Sequence, residues 1–141
     1  MHLINSQIKW IMIVAGAITC TMIINTINPE LGLQQGFGAS TFAGGADSQV
    51  ANVVVRGWGF LIFLIGAMLI YAANRPQLRG FVLTVATVSK VAFITLVMLF
   101  GSSFLEKAMV AVVFDTIVVA LFVIYLLSND HYVDESETLE A

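Results

Sequence analysis

Three ionisable side chains lie inside long hydrophobic segments of this chain: Arg56, Lys90 and Asp115. A charge at bilayer depth costs roughly 2.5–3.5 kcal/mol on insertion scales, so residues of this kind commonly mark a ligand, ion or proton site. A carboxylate beside a cation keeps its charge, whereas a site with surplus positive charge attracts an anion. These three residues are therefore the first candidates for chemistry in the sequence.

Each charge has small or polar neighbours at spacings of three or four residues, which place side chains on one face of a helix. The stripe around Arg56 consists of Asn52, Arg56, Gly59, Phe63 and Gly66. The stripes around the other two charges consist of Thr87, Lys90 and Ile94, and of Ala108, Ala111, Asp115 and Val119. The first hydrophobic segment contributes Gly16, Thr19, Cys20, Thr21 and Asn25. Small residues let membrane helices approach closely, so the stripes predict inward faces.

The depth of each charge follows from its position, at a rise of about 1.5 Å per residue. Arg56 and Asp115 lie about five and about seven residues from the same end of the bundle, and Lys90 lies near the middle of its segment. We therefore expect the charges to meet in a polar pocket in the outer half of the bundle. Its predicted ligand-binding residues are Arg56, Lys90, Asp115, Asn52 and Asn25.

Two cations and one anion leave one positive charge unmatched, and three hypotheses follow. In the first, Asp115 pairs with Arg56 or Lys90, and the buried ion pair only fixes the register of the helices. In the second, either Lys90 is neutral in the buried site, or a carboxylate, a quinone carbonyl or a lipid headgroup binds there. In the third, the charges conduct protons or ions.

The residue types argue against metal, haem and enzyme chemistry. The two histidines, His2 and His131, lie outside the hydrophobic segments, so no segment offers paired axial ligands for haem. No Cys, His and carboxylate cluster has metal spacing, and the single Cys20 excludes an intramolecular disulfide. Ser89 faces away from Lys90, which argues against a catalytic pair. We predict no catalytic residue, no metal and no cofactor, with a quinone or a lipid left open as ligand.

The elements that must position these residues are membrane helices. The chain has 141 residues, of which 59% are hydrophobic and 11% are charged, and its mean hydropathy is +0.94. Soluble domains carry about 25% charged residues, so this composition predicts an integral membrane protein. The net charge is −3, and the acids gather in a tail at residues 129–141. Nothing in this pattern favours nucleic-acid binding.

Four segments have the length of about 20 residues that a helix needs to cross a bilayer. They cover residues 8–27, 51–73, 81–101 and 108–128. The alternation expected of barrel strands is absent, and the first segment is too long for a signal-peptide core. The predicted fold is an all-α integral membrane four-helix bundle with antiparallel, up-down topology, forming a single transmembrane domain over residues 1–128.

The connections differ in length and in charge. Residues 74–80 form a tight turn, whereas residues 28–50 form a long Gly-rich loop that either caps the helix ends or is a flexible linker. With four spans, one side of the membrane holds Lys9, Arg75 and Arg79, and the other holds Lys107. The positive-inside rule then predicts cytoplasmic termini and an extracytoplasmic loop, in a bacterial inner membrane.

The run Arg56-Gly57-Trp58-Gly59, a short turn with Arg and Pro, and four compact helices resemble the DoxX-like superfamily of small membrane proteins, and its BphX-like branch in particular. The resemblance spans most of residues 8–128. It implies a membrane component that works beside a redox partner in quinone-coupled oxidation complexes, and it assigns no catalytic residue.

The function that we expect from these observations is that of a binding or accessory subunit of a membrane complex, associated with redox or quinone chemistry. Two alternatives remain open. One is a small proton-coupled or anion transporter, and the other is a purely structural, oligomeric membrane protein. The expected partners are the lipid bilayer and either other membrane subunits or further copies of this chain.

Overall fold

A computed structural model describes the backbone of residues 2–37 and 46–139, and the side chains of residues 7–36 and 49–128. Within these ranges every regular element is a helix, so the predicted all-α fold is confirmed. The helices are α1 (His2–Cys20), α2 (Ile23–Ile27), α3 (Pro29–Phe37), α4 (Ala46–Ala73), α5 (Pro76–Phe100) and α6 (Leu105–Leu139).

Four helical spans of the described chain are long and apolar enough to cross a membrane, which identifies a multi-pass membrane protein. They are Gln7–Ile27, Gln49–Ala73, Pro76–Phe100 and Leu105–Ser128. The third begins earlier than the predicted residue 81 because Pro76 occupies the first position of α5, where its missing N–H costs nothing. Helix α6 continues beyond the last span through most of the acidic tail, to Leu139.

Each of the long helices α1, α4 and α5 packs against the next long helix along the chain. Helices α1 and α2 lie along α4, α4 packs against α5, and α5 packs against α6, whereas α1 and α6 touch much less. Gly16 of α1 lies against Gly66 of α4, and Asn25 of α2 lies against Gly59. Residue numbers therefore rise along α1 and α2 where they fall along α4, so α4 is antiparallel to α1 and α2.

Glycines bring α1 and α4 into backbone contact. A Cβ atom added to Gly66 would lie 2.8 Å from the backbone nitrogen of Cys20, and one added to Gly16 would lie 2.7 Å from the carbonyl oxygen of Gly66. The Cys20 thiol also reaches the Phe63 carbonyl oxygen at 3.7 Å. The predicted stripe from Asn52 to Gly66 is therefore inward only in part: Gly59 and Gly66 are buried against α1 and α2, whereas Arg56 is exposed.

The core consists of two apolar clusters at opposite ends of the bundle. We call the end with the turn between α4 and α5 the turn end, and the opposite end, where α3 lies, the cap end. The turn-end cluster contains Ile8, Met12, Ala15, Leu69, Ala72, Ala73, Val82, Leu83, Ala86, Val118 and Phe122. The cap-end cluster contains Val97, Ala108 and Val112. The predicted site residues Lys90 and Asp115 fall between the two clusters.

The region predicted as a loop, residues 28–50, contains regular structure where it is described. Helix α3 begins at Pro29, directly after Asn28, whose side-chain oxygen accepts a hydrogen bond from the Leu31 N–H at 3.1 Å. An Asx cap of this type, followed by proline, starts a helix and explains the difference from the prediction. Helix α3 contacts α2, α4 and α6, so it lies over the helix ends, and residues 38–45 fall outside the described ranges.

Candidate functional site

Lys90 and Asp115 form an ion pair between α5 and α6. The Lys90 ammonium donates a hydrogen bond to Asp115 Oδ1. The two side chains are only 9% and 14% exposed, so both charges lie inside the bundle rather than at its surface. Charges buried from water are tolerated when they are paired, and this pair ties the two helices at one register.

An aromatic ring lies beside the ion pair. The Lys90 ammonium is 5.8 Å from the centroid of the Phe114 ring, within the range of a cation–π contact. Phe114 directly precedes Asp115 on α6, so one turn of this helix supplies both the anion and the ring. The same ring also packs on the turn-end cluster, and it therefore forms the boundary between that cluster and the charges.

Arg56 lies at another helix pair and serves another purpose. Its Nη1 donates to the carbonyl oxygens of Thr26 and Ile27, at 2.5 and 3.2 Å, and the Thr26 hydroxyl donates to the Arg56 carbonyl oxygen at 3.0 Å. The last carbonyls of a helix lack intrahelical partners, and a cation there also interacts favourably with the helix dipole. Arg79 does the same for α4, donating to the Ala73 carbonyl oxygen at 2.7 Å.

The predicted pocket of five residues is thus divided in the structure. Asn52 belongs with Arg56, because its Oδ1 accepts a hydrogen bond from Arg56 Nε at 2.7 Å. Among the described side chains, no hydrogen bond or ion pair joins Arg56 to Lys90 or Asp115. Asp115 therefore has one cation partner, Lys90, and the second cation, Arg56, is exposed and donates to backbone carbonyl oxygens elsewhere.

Asn25 lies at the junction of α2, α3 and α4. It is 2% exposed and packs against Gly59 and Gly32, where a larger side chain would collide with it. Its Nδ2 is 3.4 Å from the Met22 sulfur, and its Oδ1 has no partner among the described residues. Asn25 therefore stabilises this junction by packing, and no hydrogen bond joins it to Lys90 or Asp115 among the described residues.

One predicted stripe needs a correction. On α6, Ala111 is exposed, and the buried positions are Ala108, Val112, Val118 and Phe122. Positions 111 and 112 lie on either side of the line from Ala108 to Asp115, so helical spacing alone admits both. The contact with Phe93 and Ile94 of α5 selects the larger Val112 for the interior.

Two buried hydroxyl groups were not predicted as part of the site. Thr19 Oγ1 and Thr87 Oγ1 are buried and have no hydrogen-bond partner among the described residues. Both residues stand on the predicted inward stripes, but threonine in a helix commonly bonds its own backbone, so residue type did not distinguish them. Within the described ranges, no group of three or more His, Cys, Asp or Glu residues could hold a metal ion.

An apolar groove runs between α1 and α6, which contact each other much less than α1 contacts α4 or α5 contacts α6. Its volume is about 330 Å³. The residues that line it are Gln7, Trp10, Ile11, Val14, Ala15, Phe114, Ile117, Val118 and Leu121. Phe114 thus faces both the groove and the Lys90 ammonium, so one aromatic ring separates a membrane-accessible surface from the buried charges.

Comparison of the chain with protein-family models, curated proteins and solved structures gives no match.

Proposed function

We propose that this protein is a non-enzymatic accessory subunit of a membrane complex, and that a transmembrane segment of its partner binds in the groove between α1 and α6. The observation that carries the proposal is the open side of the bundle. The pairs α1–α4, α4–α5 and α5–α6 pack closely, whereas α1 and α6 leave a groove between them. A further helix would complete the packing of this side.

The charges favour binding over catalysis. The ion pair of Lys90 and Asp115 is matched one to one, and Arg56 is matched by the carbonyls of α2. A buried ion pair of this kind holds α5 and α6 in one arrangement and supports a defined surface on the outside. The groove walls are almost wholly apolar, which suits a hydrophobic helix better than a charged substrate.

The partner belongs, in this proposal, to a redox complex of a bacterial inner membrane, with both termini of this chain in the cytoplasm. Support comes from the DoxX-like pattern at Arg56-Gly57-Trp58-Gly59 and from the excess of Lys and Arg at the turn end. The proposal needs no cofactor held by this chain.

Site-specific photo-crosslinking in native membranes tests the proposal. A benzophenone amino acid is placed at Ile117, in the groove, or at Val110, which is also on α6 and is 79% exposed. We expect an adduct of defined mass with one integral membrane protein from position 117 only, and its loss when Val14→Trp fills the groove. Lipid adducts alone at position 117, or equal protein adducts from both positions, would contradict the proposal.

A second candidate function, a small proton-coupled carrier, is favoured by the titratable pair in the middle of the bundle. The paired variant Lys90→Met with Asp115→Leu separates the two functions, because it removes both charges and leaves neither one buried without a partner. In proteoliposomes with an internal pH dye, a carrier loses its proton flux in this variant while remaining folded. An accessory subunit shows the same background leak as empty liposomes, with or without the pair.

A further inference from the structure

Four polar side chains that are largely buried lie between the two apolar clusters or at the edge of the turn-end cluster. They are Thr19, Lys90, Asp115 and, one turn before Lys90 on α5, Thr87, and we call them the polar layer. Ala15, Ala86 and Val118 mark the adjacent edge of the turn-end cluster. Each of Thr19, Lys90 and Asp115 is three or four residues farther toward the cap end on the same helix. The layer therefore spans α1, α5 and α6.

The two threonines of the layer differ from four other hydroxyl residues in the membrane-spanning helices. The hydroxyls of Thr84, Thr95, Thr116 and Ser128 each donate to the carbonyl oxygen four residues earlier, at 2.9, 2.8, 2.7 and 2.7 Å. Thr19 Oγ1 and Thr87 Oγ1 make no such bond, although they are buried, and Thr19 is only 6% exposed. Among the described residues, these two hydroxyls have no hydrogen-bond partner.

The ion pair leaves hydrogen-bonding capacity unused at the same level. An ammonium group has three donors, and Lys90 uses one of them on Asp115 Oδ1. A carboxylate has about four acceptor positions, of which this bond takes one. The layer thus holds donors and acceptors together, and an unmet hydrogen bond in a buried site is costly.

We infer that the polar layer binds water, and that water joins the hydroxyls of Thr19 and Thr87 to the ion pair of Lys90 and Asp115. A buried water molecule needs two to four polar partners, and these side chains supply both donors and acceptors for it. The bundle then has a hydrated level between two dry clusters, and hydrogens of the ion pair exchange with solvent.

The variants Thr19→Val and Thr87→Val test the inference, because the midpoint of thermal unfolding should fall if the hydroxyl binds water and rise if it does not. If a hydroxyl holds water, valine removes a partner of that water, and we expect the midpoint of thermal unfolding in lipid nanodiscs to fall by roughly 2–4 °C. If the hydroxyl is dry, valine removes an unsatisfied group and the midpoint rises. Thr95→Val is the matched control, because its hydroxyl is exposed and bonded to its own helix. A rise, or a change no larger than in this control, overturns the inference.

A direct measurement on the unaltered protein keeps the test decisive if a variant fails to fold. Water-edited solid-state NMR in bilayers follows magnetisation from water to individual side chains. We expect rapid transfer to the Lys90 ammonium and to the Thr87 side chain, and at least a several-fold slower build-up at the Met12 methyl group, which is fully buried in the turn-end cluster. Transfer to Lys90 as slow as to Met12 would overturn the inference.

Discussion

At the scale of single residues, the same charge type has two different uses in this chain. Lys90 forms an ion pair with a carboxylate inside the bundle, whereas Arg56 binds the last carbonyl oxygens of a short helix. The difference follows from what each side chain can reach. The guanidinium offers several donors in a fixed plane and so contacts two carbonyls and Asn52, while the compact ammonium has one carboxylate beside it.

The variant Asp115→Asn should destabilise the protein by about 3–5 kcal/mol, because it leaves the Lys90 ammonium buried without its anion. The paired variant Lys90→Met with Asp115→Leu should recover most of this loss, since a buried ion pair replaced by apolar side chains of similar size is often neutral. The free energy of unfolding in mixed micelles measures both effects, with the exposed Glu106→Gln as control. Equal losses in the single and paired variants would contradict a structural role of the pair.

At the scale of the helices, backbone contact between α1 and α4 determines where the other elements can lie. Gly16 and Gly66 permit the contact, and the Cys20 thiol adds a bond to α4 beside it. Membrane helices gain little from burying apolar surface in an apolar solvent, so close packing of small residues is what holds such pairs together. The pair then fixes the position of Thr19 in the interior.

Replacing Gly66 by alanine should destabilise the protein by about 1–3 kcal/mol, because the added methyl group lies within 2.8 Å of backbone atoms of α1 that cannot move aside. The matched control is Gly57→Ala on the same helix, where an added Cβ atom has nothing within 4 Å. The control should be neutral or stabilising by about 0.5–1 kcal/mol, as alanine favours helices. Unfolding measured under identical lipid conditions compares them, and equal effects would disprove close α1–α4 contact at Gly66.

At the scale of the whole molecule, the bundle has two apolar clusters, a polar layer between them and a groove between α1 and α6. The turn end holds the larger cluster and the two arginines of the turn, Arg75 and Arg79, while α3 covers the other end. Positive residues are retained on the cytoplasmic side of bacterial membranes, so the ends of the bundle are expected to face different compartments.

Cysteine labelling in intact cells tests this orientation. In a Cys20→Ala background, Ser103→Cys should react with a membrane-impermeant maleimide, whereas Gln77→Cys should react only after the cells are opened. Both positions are exposed and lie in or beside short connections, so accessibility within the protein is matched. Labelling of position 77 in intact cells, with protection of position 103, would invert the proposed topology.

Sequence alone determined the properties that depend on length and composition. Hydrophobic runs of membrane-spanning length specified an all-helical membrane protein, and helical spacing correctly placed Lys90, Gly59 and Gly66 on inward faces, but not Arg56, which is exposed. For the region after the first span, the sequence left a cap over the helix ends and a flexible linker as alternatives. The spans could be recognised from sequence because each membrane segment must be apolar and must satisfy its own backbone hydrogen bonds, whatever its neighbours are.

Only the tertiary structure decided which inward faces meet. Depth along the membrane placed Arg56, Lys90 and Asp115 near one another, but a common depth does not specify the angle at which each helix presents its side chain. The rotation of α4 turns Arg56 toward α2, and that of α6 turns Asp115 toward Lys90. Such angles are set by packing between helices, including the glycine contact of α1 with α4, and so they follow from pairs of elements rather than from any single segment.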